Sequence, residues 1–119
     1  MRRLLLSLVV LVSGAARSGE ADVIDVKLRR MSAGVCDIDV TVNSSDTGRS
    51  HYTDDFEVPG PDGRVLGRRT QFHPHETEQP FTRDLYGVKI PAGVSEVTVR
   101  ARHKPKGYDG LTRKVVLPR

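Results

Sequence analysis

Apolar and polar residues alternate in short segments along most of the chain, which is the pattern of β-strands with one buried face. The segment Val94–His103 is the clearest, because Val97, Val99 and Ala101 alternate there with charged residues and threonine. No window shows a helical repeat of apolar residues. The pattern predicts seven strands, over Asp22–Arg30, Val35–Val42, Tyr52–Val58, Arg64–Phe72, Thr82–Ile90, Val94–His103 and Thr112–Leu117.

Glycine, proline, asparagine and aspartate separate these segments at short intervals, as in proteins built of two packed antiparallel sheets. We therefore predict an all-β fold, a seven-stranded immunoglobulin/fibronectin-III-like β-sandwich. The tryptophan and the cysteine pair of antibody domains are absent, so the prediction concerns the architecture alone. The one cysteine, Cys36, cannot form an internal disulfide, and its position in the alternation places it in the core.

The amino terminus has the composition of a signal peptide. Two arginines are followed by the apolar run 4–12 and by small residues, with cleavage expected after Ala16 or Ala21. The run is shorter than the roughly 20 residues that cross a bilayer. We assign 1–21 to a signal peptide and 22–119 to a single domain, without a membrane span in the mature chain and with a periplasmic or secreted location.

Charge narrows the range of partners. The full chain carries a net charge of +4, and removing residues 1–21 lowers this value to +2, because three arginines and one glutamate are lost. No basic stripe with interleaved aromatic residues survives in the mature chain. Nucleic acid is therefore not an expected partner.

The stretch GPDGR at 60–64 predicts a hairpin turn, in which Gly63 takes the left-handed position of a three-residue loop. With Gly60 and Arg64 as the closing pair, the numbers of facing residues sum to 124. This register gathers most apolar residues on one face, and on the other it puts acids opposite bases and His51 opposite His73. His75 would follow on the same outward side.

Three imidazoles on one face are a candidate site for a transition metal. Copper or zinc suits such donors, whereas calcium requires an oxygen cage. Glu76 or Glu78 could add an oxygen, and His103 could be a further donor if its loop lies at the same end. The alternative is a solvated polar turn that Pro74 merely shapes. The predicted metal residues are His51, His73, His75, Glu78 and His103.

Several short motifs run along the mature chain: HYTD at 51–54, FEV at 56–58, PDG at 61–63, VLG at 65–67 and, above all, HPHETEQPFTR at 73–83. In these motifs the chain resembles a family of small, uncharacterised exported proteins of Gram-negative bacteria. The resemblance implies a periplasmic β-sandwich and brings no established activity. Members often have tryptophan before the His-Tyr pair and histidine before the Gly-Tyr pair, where this chain has Arg49-Ser50 and Lys106.

These observations favour an exported periplasmic binding module that holds copper or zinc on surface histidines for carriage or buffering. The alternative is a protein-protein interaction or structural module of the cell envelope with no metal, in which the segment 76–83 and a sheet edge meet an envelope protein. We do not expect the protein to be an enzyme, since neither a substrate pocket nor a general base is identifiable in the sequence.

Overall fold

The computed structural model describes residues 19–71 and 74–118, and within these ranges the chain is all-β without a helix. Each of the seven predicted strands is present, with ends shifted by a few residues at most. The strands are β1 (Ala21–Ser32), β2 (Val35–Ser44), β3 (Tyr52–Pro59), β4 (Val65–Thr70), β5 (Phe81–Lys89), β6 (Glu96–Lys104) and β7 (Arg113–Val116). The described residues contain no helix of the length and hydropathy needed to span a membrane.

The strands form two antiparallel sheets. One has the order β1-β2-β5 and the other the order β4-β3-β6-β7. Both sheets contribute inward residues to a common apolar core, which agrees with the predicted sandwich. The core includes Ile38, Val40 and Phe81 from the first sheet and Phe56 and Val99 from the second.

Cys36 lies in this core as a free thiol, as predicted. Burial raises the pKa of the Cys36 thiol, and the neighbouring charge of Asp37 adds to the increase. Because the thiolate is the reactive form of cysteine, this environment makes the residue inert.

The hairpin register departs from the prediction. The turn closes as expected, since Gly60 N donates to Arg64 O at 2.7 Å and Gly63 has a φ of 88°. Beyond Pro59 and Val65, however, the ladder shifts by one residue, so that Val58 faces Gly67. A β-bulge inserts one residue into one strand, which reassigns every later pair. The predicted pairing, in which the numbers of facing residues sum to 124, is therefore wrong from Val58 onward.

The face of β3 that was predicted to point outward is also buried. Glu57 lies opposite Arg68 on one side and Arg100 on the other, and both guanidinium groups hydrogen-bond to its carboxylate. Burial alone would raise the pKa of Glu57, but the hydrogen bonds from Arg100, Arg68 and Tyr108 outweigh it and lower the pKa. The Arg100 guanidinium in turn lies 4.1 Å from the Tyr108 ring centroid.

The start of β1 is tied to the loop before β7. Asp22 Oδ1 accepts hydrogen bonds from Leu111 N and Gly19 N, both at 2.8 Å, and Val23 N donates to Leu111 O at 2.9 Å. Ala21 is already buried as the first residue of β1. Residues 1–18 of the predicted signal peptide lie outside the described residues, so its assignment and the domain boundary remain predictions.

Candidate functional site

One end of the molecule gathers the described histidines around a buried carboxylate. We call this region the histidine end and define it as Asp46, His51, Thr53, His75 and His103. Asp46 Oδ1 accepts hydrogen bonds from Thr53 N at 3.1 Å and Ser44 Oγ at 2.6 Å, and its Oδ2 accepts one from His75 N at 2.7 Å. Asp46 thereby joins the end of β2, the start of β3 and the loop before β5.

His75 lies inside the protein, not on the outward face that was predicted for it. Its ring stacks on Phe81, with centroids 4.1 Å apart and an interplanar angle of 21°. Its Nδ1 is 3.3 Å from Glu78 Oε1, and its Nε2 is 3.5 Å from Gln71 Nε2. The prediction for His75 is wrong because the loop does not continue as the predicted strand. The hydrogen bond from His75 N to Asp46 brings His75 over the core.

Glu78 is placed by its neighbours as well as by His75. Its Oε1 accepts a hydrogen bond from Arg83 at 3.1 Å. This bond and the positive charge of Arg83, together with the His75 contact, lower the pKa of Glu78. The carboxylate is therefore ionised at neutral pH and bound to a cation of the protein itself.

His103 occupies the inward face of β6, in line with Val97, Val99 and Ala101. It pairs with Thr53 of β3, and its backbone is fixed by reciprocal hydrogen bonds with Gly107. The side chain is only 1% exposed, and neither ring nitrogen has a hydrogen-bond partner among the described residues. The exposed His51 lies beside it, with ring centroids 6.4 Å apart.

Two other buried polar atoms of β3 also lack hydrogen-bond partners. Thr53 Oγ1, on the residue that pairs with His103, and Asp54 Oδ1 have none within the described part of the chain, although Asp54 Oδ2 lies 3.4 Å from Arg102. Burial raises the pKa of Asp54 despite the opposing charge of Arg102. An unsatisfied buried polar atom costs about 1 to 3 kcal/mol, so each of these atoms gains from contact with water or a ligand.

The predicted metal residues thus fall into two groups. His51 approaches His103, while His75 approaches Glu78. His73 is outside the described residues, so the predicted pairing of His51 with His73 is not described either. Within residues 19–71 and 74–118, no three or more of His, Cys, Asp and Glu are arranged to hold a metal ion.

Sequence reasoning missed Asp46, Gln71 and Gln79, which build the region around His75. Gln79 Nε2 donates to His75 O at 2.8 Å, and Gln79 Oε1 accepts from Ser44 N at 2.9 Å. The only sequence signal for Asp46 is its place after a strand, where an aspartate commonly accepts backbone hydrogen bonds. Its burial depends on contacts distant in sequence.

The chain is 36% identical over 91 residues to a protein described as "Putative lipoprotein" from the archaeon Halomicrobium mukohataei. The matched region is 76% of this chain but 44% of that protein, so the chain spans less than half of the length of its curated relative. No protein-family model matches the chain. No solved structure matches it.

Proposed function

We propose that this chain is an exported, non-enzymatic binding module whose histidine end holds a transition metal, copper or zinc, between His51 and His103. The observation that carries the proposal is the His103 side chain, which is buried with both ring nitrogens unpartnered among the described residues. Imidazole nitrogen is a good ligand for either metal. Binding an ion would satisfy one nitrogen that otherwise costs free energy to bury.

The two rings lie close enough to share an ion after a small adjustment. Zinc-to-imidazole bonds are about 2.0 to 2.1 Å long, so two imidazoles at a tetrahedral angle on one ion have centroids roughly 5 Å apart, and only a nearly linear arrangement separates them by about 6.4 Å. The observed separation is 6.4 Å, so the exposed His51 ring would turn toward His103 on binding zinc. His51 is exposed, so an ion held here could exchange with solvent or a partner. His73 remains the third donor that the sequence predicts.

Two further observations support the proposal that the chain is exported. The amino-terminal sequence has the features of a signal peptide. The relative from Halomicrobium mukohataei is described as a lipoprotein. These two observations support the proposed periplasmic or secreted location. The strand orders β1-β2-β5 and β4-β3-β6-β7 are those expected of a fibronectin-III-like sandwich, which we propose as the fold type.

The experiment is a calorimetric titration of the purified protein with copper(II) and zinc(II). We expect His51→Ala to weaken binding by at least about tenfold, because one of two described ligands is lost, and His73→Ala to weaken it similarly. His75→Phe is the matched control, since it removes an imidazole but keeps a ring stacked on Phe81. Equal affinities of the wild type, His51→Ala and His73→Ala would overturn the proposal.

A variant of the buried ligand needs a separate measurement. His103→Gln keeps a polar side chain of similar length but no imidazole. A bound metal stabilises the folded state by mass action, so excess metal should raise the melting temperature of the wild type. The same metal should leave the melting temperature of His103→Gln unchanged, whatever its starting stability.

A second candidate is a protein-protein interaction module of the cell envelope with no metal. The observation favouring it is the exposed Glu78 carboxylate, which Arg83 holds beside the rigid core ring of Phe81. An ordered surface of this kind can engage a protein partner without large conformational cost. Retrieval of one envelope protein in the presence of chelator, lost in a Glu78→Ala, Arg83→Ala variant, would favour this candidate.

A further inference from the structure

A second feature lies on the outer face of the sheet β1-β2-β5, where two irregularities meet at Asp37. Arg29 is the extra residue in the β1 ladder, between the pairs Leu28–Ile38 and Arg30–Asp37. On the other side of Asp37, Tyr86 and Gly87 of β5 oppose that one residue. Arg29, Asp37 and Tyr86 therefore form a row across all three strands. Bulges of this kind often redirect side chains at functional sites.

The bulge in β5 is built into the sequence. Gly87 has a φ of 72°, in the left-handed region that favours glycine, and its N–H donates to Asp37 Oδ1 at 2.8 Å. That bond and those from Arg30 lower the pKa of Asp37. The carboxylate is thereby fixed in its ionised form. Tyr86, the other residue of this bulge, is 59% exposed.

Two open depressions share Tyr86 as a lining residue. The first has a volume of about 320 Å³ and is lined by Arg29, Arg30, Asp37 and Tyr86. The second, of about 300 Å³, is lined by Arg68, Arg69, Thr70, Asp84, Leu85 and Tyr86. Each depression thus contains two arginines beside the same aromatic residue.

The exposed charge in the first depression is mainly positive. The Arg30 side chain is 74% exposed, whereas that of its partner Asp37 is 14% exposed. Arg29 and Asp39 show the same asymmetry, with 55% and 21%. The acids are covered and the guanidinium groups face solvent, so the surface offers hydrogen-bond donors to an anion. In the second depression both arginines already bind acids, Arg69 binding Asp84 and Arg68 binding the buried Glu57, so the proposed anion contacts are those of Arg29 and Arg30.

We propose that this face binds an acidic polysaccharide, with one sugar ring stacked on Tyr86 and carboxylate or sulfate groups held by Arg29 and Arg30. The flat apolar face of a sugar suits a half-exposed aromatic ring, while guanidinium groups suit planar or tetrahedral anions. Two depressions that share Tyr86 offer room for more than one sugar unit. A peptide strand would instead be expected to pair with backbone groups at a sheet edge.

The test is binding of the purified full chain to polygalacturonate, measured at low salt with chelator present so that metal plays no part. We expect saturable binding that weakens as salt screens the arginines. Tyr86→Ala and the double variant Arg29→Gln, Arg30→Gln should each raise the dissociation constant at least about tenfold, as for central interface residues. Dextran, the neutral probe, should not bind.

The matched control is Tyr108→Ala. Tyr108 is another exposed tyrosine that lies beside an arginine, but it contacts Arg100 and Glu57 on the other sheet. Its loss should change polygalacturonate affinity by less than about twofold if the site is specific. Equal losses in Tyr86→Ala and Tyr108→Ala would overturn the proposal, as would tighter binding of polyglutamate or single-stranded DNA than of polygalacturonate. None of these outcomes depends on the metal titration.

Discussion

The carboxylate of Asp46 accepts the backbone N–H of His75 at 2.7 Å across 29 residues of sequence. This bond places the loop before β5 against the start of β3. We expect Asp46→Asn to lower the free energy of unfolding by about 1 to 3 kcal/mol, because an amide can no longer accept from both of its sides. Urea unfolding at neutral pH measures the change. Asp25→Asn, on the exposed side of β1, is the control and should change stability by less than about 0.5 kcal/mol.

Glu57 predicts a pH dependence of stability. Its pKa in the folded state is below its ordinary value of 4.5, so its contribution is complete above that value and is lost as pH falls through the folded pKa. We expect Glu57→Gln to be less stable than the wild type at pH 7, because the amide loses the charged hydrogen bonds to the arginines. The loss should be only about 1 to 2 kcal/mol, since these arginines are partly solvated. The difference should shrink near pH 3. An equal difference at both pH values would contradict the assignment.

The stacking of His75 on Phe81 predicts that His75 stabilises the fold. His75→Ala removes a buried ring and its polar contacts, so we expect a loss of about 2 kcal/mol in thermal or urea unfolding. His75→Phe should recover part of that loss because it restores the stacked ring. A lack of recovery would indicate that the polar contacts of His75 matter more than its stacking.

The backbone conformation of Gly87 predicts that its substitutions lower stability to different degrees. Its φ of 72° is unfavourable for residues with a β-carbon, although no atom within 4 Å would obstruct one. We expect Gly87→Ala to cost about 1 to 3 kcal/mol and Gly87→Asn to cost less, since asparagine tolerates this conformation. Unfolding free energies of the two variants provide the measurement. An alanine variant as stable as the wild type would show that the bulge can relax.

Local pattern was sufficient for much of the fold. The alternation in Val97, Val99 and Ala101 predicted β6, and the turn at 60–64 predicted the closing pair of the hairpin. The β3–β4 bulge could not be predicted in this way. Alternation indicates which residues share a face within one strand, while a bulge depends on how two strands fit the sheet they join.

The candidate site was less predictable, for a related reason. Counting from the turn put His75 on the surface, but contacts with Asp46 and Phe81 put it inside. The burial of His103 follows from the alternation of β6, which continues through Ala101 to this residue. That pattern was available in the sequence and indicated an inward imidazole. The contacts of His75, by contrast, depend on loops whose paths no periodicity describes.

The bulge between Val58 and Pro59 also affects how the hairpin can change in evolution. Closing the bulge without changing the length of the hairpin would put Gly67 opposite Glu57 and Arg69 opposite Asp55, so Glu57 would lose Arg68, the strand neighbour that covers it. Deleting Leu66, the extra residue, would instead keep Arg68 opposite Glu57. We therefore expect this hairpin to tolerate the loss of that one residue better than the insertion of another.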